Sequence, residues 1–273
     1  MTASSTKMPT LFIPHGGGPC FFMDWTLMGG PVDTWDKTAE WLKSIQSSLP
    51  EKPKALLVVS AHWEEQEFTV STAASPDMIY DYSGFPAHTY ELNYPAPGAP
   101  DLANRVQELM VEQGLDAPLK SSRGYDHGVF VPLLVAFPDA DIPILTLSLT
   151  RDLSPEKHLK VGKAISQLRE EGVLIIGSGM SYHNMRAFRT PMATAPSAEF
   201  DAWLTDVLET GDLEERWVKL TRWLDAPQGR NSHPREEHLL PLMVAAGAGH
   251  DETGRKVFSD NVMNSTVSAF QFG

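Results

Sequence analysis

The chain has 273 residues, 42% of them hydrophobic and 21% charged, which is enough apolar material for one large α/β core and gives little reason to expect two. A formal net charge of −13 disfavours nucleic acid and acidic membrane surfaces as partners and leaves a neutral or small organic ligand as the better fit. Cys20 is the only cysteine, which excludes an intrachain disulfide and a thiolate cluster, so any metal must be held by His, Asp or Glu.

Residues 1–9 are polar and lack the apolar run of a signal peptide, and no apolar stretch approaches the roughly 18 residues of a membrane span. No membrane attachment and residence in the cytoplasm are the corresponding expectations. Short apolar runs at 10–14, 55–61, 142–149 and 173–177 read as strands. They alternate with segments of helical period at 31–48, 100–114 and 154–171. Pro31 is available for a first helical turn, and Ser154 stands directly before Pro155 and Glu156 as a helix start. A helical C-terminal third is expected over 197–224 and again over 234–246. The alternation predicts an α/β fold: one domain over residues 1–273, with a central mixed sheet flanked by helices. Residues 73–100 are rich in Pro, Gly, Tyr and Ser without helical period and read as a long ordered loop, a kind of segment that is usually functional.

His15 directly follows the first strand run and His62 the second, while His183 comes shortly after the fourth. Ligand crevices of open α/β sheets lie outside the carboxyl ends of the strands, so three imidazoles can converge there. Neutral imidazole is a common ligand for borderline metals. A single histidine is more often structural, and it is the shared strand-end placement that raises this set above that reading. Gly16, Gly17 and Gly18 lack the spacing and the lysine of a phosphate-binding loop. They fit either a plain turn or a close approach of backbone to a bound molecule.

His127, between Asp126 and Gly128, precedes an apolar segment and reads equally as a pocket residue or as the cap of a following helix. In Asn231-Ser232-His233-Pro234-Arg235-Glu236-Glu237-His238, Pro234 suits a first helical turn, which would put Glu237 and His238 about one turn into a helix. Acidic residues at a helix start are ordinary, but His238 runs straight into Leu239 and Leu240. Either Glu237 or His238 could reach a metal.

Six ordered motifs give the chain a resemblance to the class III extradiol dioxygenases, in the subgroup of DOPA 4,5-dioxygenase. They are Pro-His-Gly at 14–16, Ser-Ala-His-Trp at 60–63, Gly-Phe-Pro with Tyr-Pro-Ala-Pro-Gly within 84–98, Gly-Tyr-Asp-His-Gly-Val-Phe-Val-Pro-Leu from 124, Ile-Ile-Gly-Ser-Gly-Met-Ser-Tyr-His-Asn at 175–184, and His-Pro-Arg-Glu-Glu-His-Leu-Leu-Pro-Leu from 233. The resemblance implies an oxidoreductase that uses non-haem Fe(II) to open a catechol-type ring with O2, giving a semialdehyde, in the catabolism of aromatic compounds.

It further implies His15 and His62 as iron ligands at the strand ends, with His238 preferred over Glu237 as the third. His183 would be the catalytic acid/base and His127 a histidine at the substrate pocket. Tyr80, Tyr82, Phe85 and Pro86 would form one pocket wall, with Tyr182 beside the catalytic histidine. The chain departs from the family pattern in Gly-Gly-Gly-Pro-Cys-Phe-Phe after His15 and in Met180-Ser181-Tyr182 before His183, both of which bear on which catechol is accepted. Zn(II) suits the same ligands and could occupy them in a crystal. The competing readings are a zinc hydrolase with these ligands and a metal-binding protein without turnover. A monomer or small homo-oligomer is expected.

Overall fold

The structure is a computed structural model that describes residues 6–273. Residues 1–5, part of the stretch on which the expectation of no signal peptide rests, lie outside the described residues. The elements run β1 (Thr10–Pro14), α1 (Asp36–Ser48), β2 (Ala55–Glu65), β3 (Val70–Ser71), β4 (Met78–Ile79), α2 (Pro100–Glu112), β5 (Leu119–Lys120), β6 (Tyr125–Asp126) and α3 (His127–Ala136). They continue with β7 (Ile144–Thr150), α4 (Pro155–Ala164), β8 (Val173–Gly179), α5 (Thr194–Glu209), α6 (Leu213–Thr221), α7 (Gly229–Ser232), α8 (Leu240–Ala248), β9 (Gly254–Val262) and β10 (Ser265–Phe272). Eight strands form one sheet in the order β5-β3-β7-β2-β8-β1-β10-β9, and β4 pairs with β6 apart from it. The centre, β7-β2-β8-β1, is parallel, and β10 joins β1 antiparallel, so the sheet is mixed as expected.

Strand residues alternate between two cores, as the two-residue period of a strand requires. Phe12, Leu57, Val59, Val173 and Ile175 pack with α2, α4, α5 and α8. Leu11, Ile13, Leu56, Val58, Leu174 and Ile176 pack with α1 and α3 on the other face. Both faces of the central strands are covered, which is why these runs are predominantly apolar.

Three local expectations are revised. α1 begins at Asp36, because residues 31–35 form turns rather than a first helical turn at Pro31. The segment from 154 starts as foreseen, with Ser154 accepting from the Lys157 N–H, but α4 ends at Ala164 and passes into a short 3-10 turn, Ser166–Arg169. The helix expected from Pro234 begins only at Leu240. Pro241 has no N–H to give to the carbonyl of Glu237 and its ring would crowd that carbonyl, which favours its place in the first turn of α8. The segment after 250 is a β-hairpin, β9-β10, turned by Met263 and Asn264 at φ 48° and 68°.

Candidate active site

Backbone pairing brings His15 and His238 together where β1 and β8 end. The β1-β8 ladder ends at Pro14 opposite Gly179, and the next residue, His15, donates its N–H to the Gly179 carbonyl at 3.1 Å. One step on, the Met180 N–H reaches the His238 carbonyl at 3.1 Å, which lays the turn before α8 across the end of β8. That crossing needs a glycine, since a Cβ on Gly179 would stand 2.2 Å from the His238 carbonyl oxygen. His62 arrives differently. β2 pairs with β7 up to Val59 and resumes only at Glu64, so His62 sits within an irregularity of a long strand rather than after its end.

The sharp turn after His15 uses glycine for conformation, with Gly16 at φ 78° and Gly18 at φ 55°. All three glycines also line the cavity. His127 opens α3, and the carboxylate of Asp81 receives both its backbone N–H at 3.0 Å and its Nδ1 at 2.8 Å. Inside α3, Pro132 leaves the Gly128 carbonyl without its helical donor, and the Ser178 hydroxyl of β8 donates to it instead.

Five imidazoles therefore meet. Ring centroids lie 4.9 Å apart for His15 and His62, 5.2 Å for His15 and His238, and 4.9 Å for His62 and His238. One nitrogen from each of these three falls within 4.8 Å of the others. His127 stands 4.0 Å from His62, and His183 stacks on His238 at 3.4 Å. His15 Nδ1 is 2.8 Å from the Gly16 carbonyl, which can only accept, so that nitrogen carries the proton and Nε2 keeps its lone pair. Nε2 of His15 and of His62 are buried without a hydrogen-bond partner among the described residues.

Two carboxylates stand behind the rings. Asp81 serves His127 and approaches His62 Nδ1 at 3.5 Å, while Glu237 Oε1 lies 2.9 Å from His238 Nδ1 and 3.4 Å from His183 Nδ1. Burial, followed by the neighbouring histidines, pushes His15 and His238 well below the usual imidazole range and His62 down to about 4. Burial alone would raise Asp81, but its bond from His127 and the nearby imidazole charges outweigh it and hold the carboxyl at about 2. Hydrogen bonds from His183 and His238 likewise keep Glu237 ionised against its burial. Glu237 does not join His15 and His62 in one cluster, whereas His238 does. Unpartnered buried nitrogens, neutral rings and anions behind them suit a divalent cation with a preference for nitrogen ligands.

The cavity, of about 200 Å³, is lined by these histidines and Gly16 to Gly18, and otherwise by Trp35, Met180, Tyr182, Met185 and Phe188. Tyr80, Tyr82, Phe85 and Pro86, expected as a wall, do not line it. Tyr80 and Tyr82 turn their hydroxyls back to the Leu92 and Thr89 carbonyls at 2.7 and 2.6 Å, and Phe85 backs Gly18 from behind. Asp81 and the apolar lining at Trp35, Met185 and Phe188 were missed, since no motif or period marks them, although Asp81 lies between the two tyrosines singled out. A larger open groove of about 470 Å³, lined by Asp33, Asp36, Glu40 and Asp260, contains none of the histidines.

The family of the catalytic LigB subunit of aromatic ring-opening dioxygenase matches residues 9–273. A 4,5-DOPA dioxygenase extradiol of Beta vulgaris is 43% identical over 89% of this chain and 88% of its own length. The enzyme of the same name from Escherichia coli K12 is 35% identical over 90% and 86%, and the dioxygenase tasH of Hapsidospora irregularis is 34% identical over 99% and 88%. The crystal structure of an uncharacterized protein from Escherichia coli K12 superposes with a TM-score of 0.73 at 30% identity, covering 97% of this chain and 100% of that one.

Proposed function

The chain belongs to the extradiol, LigB-type family of aromatic ring-opening dioxygenases, and from that premise we propose that it uses Fe(II) and O2 to cleave a catechol-type ring to a semialdehyde. The observation that carries this is the meeting of His15, His62 and His238 nitrogens, two of them buried and unpartnered, in a cavity shared with His127 and His183. On this reading His15, His62 and His238 are the metal ligands, and the whole chain is one catalytic domain acting as a monomer or small homo-oligomer. Catabolism of aromatic compounds in the cytoplasm is part of the same proposal, and a lone buried Cys20 suits a reducing compartment.

Iron held there would supply open positions for two adjacent catechol oxygens and for O2. The chain's own groups do the rest. His183, backed by Glu237, and His127, backed by Asp81, each turn Nδ1 to a carboxylate and leave Nε2 for proton exchange with a substrate hydroxyl. His183 is the acid/base and His127 lies on the substrate side. Trp35, Met180 and Phe188 keep water from the ring. Zinc would fit the same nitrogens, yet the dioxygenase relatives do not favour a zinc hydrolase or a binder without turnover.

The test is anaerobic reconstitution with Fe(II) followed by an oxygen-electrode screen of catechols. The expected result is stoichiometric O2 uptake with a yellow product, lost on chelation. Hydrolytic turnover with zinc under nitrogen, and no uptake with iron, would overturn the proposal.

A further inference from the structure

We propose that Arg235 is a positioning residue for the ring-opening reaction, bracing Glu237 against β2 so that this carboxylate holds the proton-exchange histidine His183 at the cavity; this rests on the catechol reading above. One guanidinium joins the two carboxylates concerned. Arg235 meets Glu64 with two prongs, Nη1 to Oε1 and Nη2 to Oε2, each at 2.6 Å, and its Nη1 lies 3.3 Å from Glu237 Oε2.

Glu64 is tied into the sheet. It is the residue at which β2 resumes its pairing with β7, opposite Leu149, after the irregularity that carries His62. Glu237 stands instead in the turn between α7 and α8, where no helix or strand aligns its side chain. Its neighbour Glu236 turns to Arg230 at 2.8 Å, so of the two adjacent glutamates Glu237 is the one that faces the histidines.

The two oxygens of Glu237 carry unequal duties. Oε1 serves two imidazoles, His238 at 2.9 Å and His183 at 3.4 Å, whereas Oε2 is buried and takes no hydrogen bond among the described residues. A carboxylate anchored through one oxygen can still turn about its broad terminal torsion, and the longer contact, to His183, is the first to be lost. The Arg235 charge beside Oε2 opposes that turn. Asp81 needs no such brace, since His127 gives it both its ring and its backbone N–H. Arg235 is half-exposed, and an ion pair so exposed adds little to stability. What it contributes is direction, which the two-pronged pair with Glu64 supplies.

The test is oxygen-electrode kinetics on the Fe(II)-loaded enzyme and its Arg235→Gln, Arg235→Lys, Glu64→Gln and doubly substituted Glu64→Gln, Arg235→Gln variants, with 4-methylcatechol and 3-(3,4-dihydroxyphenyl)propanoate as substrates. Arg235→Gln should keep near-stoichiometric iron and the parent's urea midpoint, while kcat falls about tenfold with both substrates and KM stays within about twofold. Glu64→Gln should also lower kcat, and the double variant should be no slower than Arg235→Gln, because either change breaks the same brace. Arg235→Lys keeps the charge without the two-pronged geometry and should recover only part of the loss. Unaltered kcat in iron-replete Arg235→Gln overturns this inference and leaves the catechol reading standing. So does a rise in KM confined to the propanoate, which would make Arg235 a contact of the substrate carboxylate. Absence of O2 uptake by the unaltered enzyme with either substrate overturns both.

Discussion

Oε1 of Glu237 lies 2.9 Å from Nδ1 of its sequence neighbour His238, and the same oxygen is 3.4 Å from Nδ1 of His183. The carboxylate fixes which His238 nitrogen bears the proton and so which one is free for a metal. Glu237→Gln keeps the size and removes the charge. The expected outcome is a fall in Fe(II) affinity of about tenfold to hundredfold, the usual cost of losing an outer carboxylate, with the circular dichroism spectrum unchanged. Competition with a chromophoric chelator measures it, and unaltered affinity would show that Glu237 does not tune His238.

Gly179→Ala tests how His238 is brought to the site. The added Cβ would meet the His238 carbonyl oxygen at 2.2 Å and the Phe12 ring at 3.0 Å, and the first of these is backbone that cannot swing aside. Destabilisation of about 1–3 kcal/mol is expected from such overpacking, together with weaker metal binding because the turn carrying His238 is displaced. A urea midpoint and metal affinity both equal to the parent would contradict the close crossing.

His158 gives a pH dependence away from the site. It is fully buried between the Ser154 carbonyl at 2.7 Å and the Thr150 N–H at 3.4 Å, and burial lowers it to about 4. The unfolded chain takes up this proton near pH 6.5 and the folded chain only near pH 4, so between these values unfolding binds the extra proton. Stability from His158 is complete above about pH 6.5 and drains away as pH falls toward 4, by about 3 kcal/mol. His158→Asn removes the titration while keeping a donor for Ser154. Its denaturation midpoints should fall less steeply than the parent's through this window, and parallel curves would refute the assignment.

His15 and His62 were legible because apolar strand runs end on or near them, and an α/β sheet flanked by helices follows from such runs alternating with segments of helical period. His238 was legible as a residue type but not in its setting. The helix expected from Pro234 starts instead at Leu240, which puts Pro241 in a first turn and avoids the clash with the Glu237 carbonyl that a helix from Pro234 would bring. The β9-β10 hairpin escaped notice because its turn is Met263-Asn264 rather than Asn-Gly, and β9 interleaves Lys256, Ser259, Asp260 and Asn261 without clean alternation. Asp81 could not be read at all. Its role exists only because β4 pairs with β6 and carries the 80–82 segment to the start of α3.

The division of labour among the five histidines makes the last prediction. His15 Nε2 is buried, unpartnered among the described residues and part of the three-nitrogen group, so if the proposed ligand set holds, His15→Ala should leave protein that retains little iron after gel filtration. His183 lies outside that cluster, and its backbone is held independently by its N–H to the Ser232 carbonyl at 3.0 Å. His183→Ala should therefore keep near-stoichiometric iron and an intact fold while turnover falls about 100-fold or more, the usual share of a positioned acid/base. The pairing of the two measurements is what discriminates. Loss of iron in His183→Ala would make it a ligand, and iron-replete protein with near-normal turnover would remove it from proton transfer and leave His127, held by Asp81 at 2.8 Å, as the group to test next.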